Sequence, residues 1–122
     1  MLNPGIVMLY VADPIGSSRF YQQLLGRQPV EQSETFALFV WESGLKLGLW
    51  RQDQVAPVVT APQGSGELGI PLDSRHEVDN LYQDWTNLGL EILQTPEAMD
   101  FGYTLVAADP DGNRIRAYHL EA

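Results

Sequence analysis

Residues 107–120 read Ala-Ala-Asp-Pro-Asp-Gly-Asn-Arg-Ile-Arg-Ala-Tyr-His-Leu, and Asp109-Pro110-Asp111-Gly112 at the centre decides how the rest is read. Proline presets φ, aspartate side chains accept from amides within the turn, and glycine takes the positive φ that returns the chain to a strand. The apolar run Tyr103 to Ala108 and the alternating run Asn113 to His119 therefore make a β-hairpin. In its closing strand Ile115 and Ala117 point one way, and Arg114, Arg116 and Tyr118 the other. One face packs on a core; the other presents two arginines and a tyrosine.

Upstream, the pattern leading into this hairpin occurs twice. Gly5 to Ala12 alternates, with Ile6, Met8 and Tyr10 on one face and Val7, Leu9 and Val11 on the other. Asp13-Pro14 starts a helix, Asp13 as N-cap, with a stripe of Phe20, Tyr21, Leu24 and Leu25 that stops at Gly26. Strands follow at Gln28 to Gln32, Thr35 to Trp41 and Leu45 to Trp50. In the last, Leu45, Leu47 and Leu49 face the core while Lys46, Gly48 and Trp50 face away. Arg51 to Ser65, with Pro57, Pro62 and Gly64, has little periodicity and reads as a linker.

The second round opens with a strand, Glu67 to Leu72. Leu68, Ile70 and Leu72 share one face, and Glu67, Gly69 and Pro71 the other, with Pro71 where no ladder amide is needed. Ser74-Arg75-His76-Glu77 is a capping box. It opens a helix with Val78, Leu81, Tyr82, Trp85 and Leu88 at helical spacing, ending at Gly89. Strands at Leu90 to Gln94, Tyr103 to Ala108 and Asn113 to His119 complete it.

The chain thus reads as an α+β domain over residues 1–122: a βαβββ module at about 4–50, a linker at 51–65 and a second βαβββ module at about 66–120. Each strand has an aliphatic face for its module's helix and a mixed face left over. Placed edge to edge, two such half-barrels would bring the mixed faces around an open, barrel-like cleft.

At 122 residues and 44% hydrophobic composition the chain can bury a core. No apolar run approaches the roughly 20 residues of a membrane span, and Met1-Leu2-Asn3-Pro4 lacks a signal peptide's regions. With no cysteine there is no disulfide, thiol nucleophile or thiolate metal site, so a soluble cytoplasmic protein is expected. Sixteen acidic residues against seven basic give a net charge of −9, which argues against nucleic acid as a partner.

These elements resemble the vicinal-oxygen-chelate superfamily of glyoxalases, extradiol dioxygenases, and fosfomycin and bleomycin resistance proteins. The resemblance rests on the opening strand ending Val11-Ala12-Asp13, the Phe20-Tyr21 helix closing on Leu25-Gly26, the Gly44-Leu45-Lys46-Leu47 strand and Asp109-Pro110-Asp111-Gly112. Enzymes of that superfamily hold a divalent metal with four ligands, usually His, Gln or Glu. The corresponding positions here are Ile6, Gly48, Glu67 and Arg116. Two have no donor atom and arginine repels a cation, so neither a metal nor another cofactor is expected. His76 and His119 lie off this set, the first in a helix's opening turn and the second on the strand face opposite Arg116.

Within the superfamily the chain most resembles the phenazine-type antibiotic resistance proteins, which lack the metal and bind planar aromatic drugs between aromatic side chains. The shared features are Glu67-Leu68-Gly69-Ile70, the Leu49-Trp50 strand end, Asp79 to Trp85 and Phe101-Gly102. The resemblance implies sequestration of a planar aromatic molecule by a homodimer. Expected contacts are Met8, Tyr10, Trp50, Glu67, Gly69, Arg116 and Tyr118 on the mixed faces. Trp41, Phe39, Phe101 and Tyr103 are expected at the rim, while Trp85 reads as core. Gly69 is expected to leave room for a flat ring, and Glu67 and Arg116 can pair with each other. A metal-dependent glyoxalase, isomerase or dioxygenase is the alternative; an interaction module with a disused cleft is a third class.

Overall fold

The computed structural model describes residues 1–121 and contains both βαβββ modules. They form two compact units, Met1–Gly64 and a second that starts at Ser65.

In the first module, β1 (Ile6–Val11), α1 (Pro14–Leu25), β2 (Glu31–Gln32), β3 (Phe36–Val40) and β4 (Lys46–Arg51) follow in order. The sheet order is β1-β4-β3-β2, with β1 parallel to β4 and the other pairs antiparallel. The segment expected to be a strand over residues 28–32 is a strand only at its last two residues, with Val30 N–H donating to Leu38 O just before them. Asp13 stands at the N-cap of α1 with Pro14 in the first turn, but its side chain makes no capping bond. Gly26 ends the helix at φ 65°, its N–H donating to Gln22 O at 3.0 Å.

The buried face of α1 is Pro14, Ser17, Ser18 and Tyr21, not the stripe of Phe20, Leu24 and Leu25, which are half-buried. Two small polar side chains thus face the sheet, and Ser18 Oγ donates to Gln32 Oε1 at 2.9 Å. Leu9, Val11, Ala37, Phe39, Leu47 and Leu49 complete this core. Leu45, expected inside, precedes β4 and is exposed. Phe39, expected at a rim, is fully buried.

The second module runs β5 (Glu67–Pro71), α2 (Arg75–Asn87), β6 (Glu91–Met99), β7 (Gly102–Ala108) and β8 (Arg114–Leu120). Its sheet, β5-β8-β7-β6, repeats the first with β5 parallel to β8. Both four-stranded sheets are mixed. The capping box forms: Ser74 Oγ accepts from Glu77 N at 3.1 Å, and Glu77 Oε2 from Asp73 N at 2.6 Å. Leu88 caps the helix, and Gly89 turns the chain away at φ 80°. Val78 and Trp85 form the buried face of α2, while Leu88 projects into solvent.

Strand β6 runs five residues beyond the expected end at Gln94. It is an edge strand, so Pro96 removes no ladder bond, and the register shifts on either side of Gln94 absorb the irregularity. The β7–β8 turn forms as read: Asp109 Oδ1 accepts from the Asp111 and Asn113 amides, both at 2.8 Å, and Gly112 takes φ 89°. Pro71 likewise lies on an edge strand.

Candidate functional site

Each sheet has one face covered by its own helix and one face without a helix. On the helix-free face of the first sheet, strand register puts Met8 beside Gly48, and Tyr10 and Phe36 on either side of Trp50. Tyr10 and Trp50 meet edge to face, ring centroids 6.5 Å apart at 77°. The flexible end of Met8 occupies the space a side chain at Gly48 would take: a Cβ there would lie 2.7 Å from Met8 Sδ and 3.3 Å from Phe36 Cε1. Phe36 and Leu38 belong to this apolar surface as well, though sequence reading did not select them. The β3–β4 register was the missing information.

The helix-free face of the second sheet is polar. Arg116 Nε donates to Glu67 Oε2 at 3.0 Å, so the anticipated pair forms. Its Nη1 reaches Gln94 Oε1 at 3.2 Å and Thr104 Oγ1 at 3.3 Å, and its guanidinium lies 5.9 Å from the Phe101 ring centroid. Gln94 Nε2 in turn donates to Glu97 Oε1 at 3.1 Å. Gln94 and Thr104 were not selected from sequence: the irregular β6 register aims Gln94 here, and an isolated Thr carries no signal.

Gly69 has one near neighbour on this face. Tyr118 lies beside it, its Cε1 3.2 Å from where a Cβ at that position would be.

Trp41 and Tyr103 lie on the helix-covered sides rather than with these groups. Trp41 sits under the Arg27 guanidinium, 5.5 Å from its ring centroid, beside Phe39. Tyr103 donates to Asp79 Oδ1 of α2 at 2.7 Å and has Arg75 over its ring at 4.7 Å. The Asp79 hydrogen bond, with burial second, raises the Tyr103 phenol above the usual tyrosine range. Arg75 is held by a bidentate bond to Glu121 at 2.6 and 2.7 Å, which lowers the Glu121 carboxyl below its ordinary range. His119, also on the helix side, has Nδ1 3.1 Å from Leu72 O.

The chain belongs to the Glyoxalase/Bleomycin resistance protein/Dioxygenase superfamily, whose family model matches residues 4–117. The fold is that of the vicinal-oxygen-chelate proteins, built from two βαβββ modules. The chain is 28% identical, over 98% of its length and 94% of the relative's, to the phenazine antibiotic resistance protein EhpR of Enterobacter agglomerans. A solution NMR structure of a protein from Agrobacterium tumefaciens matches at a TM-score of 0.89 with 43% identity, covering all of both chains. A glyoxalase-related enzyme from Fulvimarina pelagi has the same fold at a TM-score of 0.83 and 22% identity, over 98% of this chain and 88% of that one.

Metal-dependent members of the superfamily make the donor set the deciding chemistry. At the four positions the resemblance assigns to ligands, Ile6 and Gly48 offer no donor. Glu67 is engaged by Arg116, itself a fixed positive charge. One carboxylate already paired with a guanidinium does not satisfy a transition metal's need for three or four ligands. These residues do not fit the group.

Proposed function

We propose that this protein binds a planar aromatic small molecule without a metal and sequesters it, conferring resistance in the manner suggested by its similarity to the phenazine resistance protein. The observation that carries the reading is the Tyr10–Trp50–Phe36 surface on a sheet face without a helix, with Met8 filling the floor above Gly48. Apolar and aromatic, such a surface suits another ring, and a stacked aromatic contributes about 0.5–1.5 kcal/mol beyond burial. The donor set at Ile6, Gly48, Glu67 and Arg116 supports binding without a metal. In the second module Phe101, Tyr118, Gly69 and the Glu67–Arg116 pair offer one aromatic and one polar contact region. The same reading takes the protein to be a cytoplasmic homodimer.

Tryptophan fluorescence, titrated with planar aromatics including a phenazine in excess chelator, tests it. Saturable quenching is expected, and W50A should abolish it while circular dichroism stays unchanged. A response that appears only after a divalent ion is added would replace this reading with the metal-dependent enzyme. Sedimentation equilibrium checks the dimer.

A further inference from the structure

Strand register sets two rows of side chains across β1, β4 and β3 on the helix-free face of the first sheet: Tyr10, Trp50 and Phe36, then Met8, Gly48 and Leu38. The second row has its gap in the middle, yet Gly48 is buried on a face that no helix covers. Two of the three atoms nearest to a Cβ at Gly48 belong to the end of Met8, Sδ at 2.7 Å and Cε at 2.9 Å; the third is Phe36 Cε1 at 3.3 Å. The cover over the glycine is thus largely one S–CH3 group.

An unbranched thioether with three rotatable bonds re-packs easily, and Met8 is only half-buried, so its end can turn outward. Phe36 and Leu38, which flank the space it fills, are apolar, and a polar group placed there would go unpartnered. Gly48 lies two residues from Trp50 on the same face, roughly 7 Å along the strand. A ring against Trp50 therefore brings a substituent on its edge over Gly48.

Resting on the reading that a planar aromatic molecule lies on Tyr10, Trp50 and Phe36, we infer that Met8 is a displaceable plug. The space its S–CH3 group fills over Gly48 is a subsite for an apolar substituent on the edge of that ring. Without a substituent the thioether stays and closes the face. With one, it turns outward and the substituent takes its place beside Phe36. Met8 and Gly48 are thus the residues that set which ring substituents this face accepts.

Isothermal titration of the intact protein with phenazine and with its 1-methyl and 2-methyl derivatives, in excess chelator, tests this. The better methyl derivative should bind about threefold to fivefold more tightly than phenazine, the gain from burying one methyl group. Gly48→Ala puts a carbon against the plug's space and should bring the ratio close to one, with thermal melts to confirm folding. Nuclear Overhauser contacts in the native protein, labelled at its methionine methyls, give a second reading. The Met8 methyl should lie against the Gly48 α-protons in the free protein and give way to the probe's methyl in the complex. Saturable binding with a native ratio near one, with a ratio that Gly48→Ala leaves unchanged, or with Met8 still against Gly48 in the methyl-probe complex overturns the inference and leaves aromatic sequestration standing. Binding of none of the three probes removes both.

Discussion

The two modules share one topology and solve the same packing problem with opposite materials. In the first, the helix buries Ser17, Ser18 and one ring of its own, Tyr21, against the sheet; in the second, the helix buries Val78 and Trp85. The helix-free faces invert as well. The first carries Tyr10, Phe36 and Trp50 with one glycine under Met8, the second a network centred on Arg116 with one glycine beside Tyr118. A repeated backbone thus fixes where side chains stand and leaves their chemistry free: one face carries rings and the other charge.

The contrast between the helices can be broken first. Trp85→Ala empties the centre of the second core and should cost about 3–5 kcal/mol, seen as a large fall in the denaturation midpoint. Ser18→Leu makes the first helix resemble the second; overpacking should cost about 1–3 kcal/mol, with loss of the Gln32 bond included. If Ser18→Leu were neutral, the packing of α1 on its sheet would not depend on serine.

The two glycines sharpen the comparison of the faces. Gly48→Ala presses on the flexible end of Met8, and Gly69→Ala on one ring edge of Tyr118, so both should fold and change stability by no more than about 1 kcal/mol. Ring-proton chemical shifts of Tyr118 should move in the second variant alone.

The smallest effect is the pH dependence of the Arg75–Glu121 clamp. Arg75's hydrogen bonds hold the folded Glu121 carboxyl below its ordinary range, so the folded chain binds that proton less tightly than the unfolded one. The clamp's contribution is present at neutral pH and is lost as pH falls through the carboxylate range. Melting temperatures of E121Q and the native chain should therefore converge on acidification.

What could be read from sequence was local. The Asp109–Gly112 turn, the Ser74–Glu77 cap and the Gly26 stop each act within a few residues, and each forms as its chemistry dictates. Ser17 and Ser18 escaped because small polar residues give no hydrophobic period. The far half of β6 escaped because Pro96 reads as an end unless the strand is known to be an edge. Nor could alternation separate Arg114 from Arg116, since the choice rests on a diagonal reach by Glu67 from a strand 47 residues away in sequence from Arg114. Tyr118 beside Gly69 is likewise a cross-strand matter.

The aspartate turn has one more partner. Asn113, pinned by Asp109 through its backbone amide at 2.8 Å and its side-chain amide at 3.1 Å, accepts the Gly66 N–H on Oδ1 at 3.2 Å. The most recognisable motif of the chain is therefore a fastener. It sets the alignment of two parallel strands that meet only after a long loop has closed. A signature of this kind identifies the architecture, so the side chains on the sheet faces can change without altering the motif.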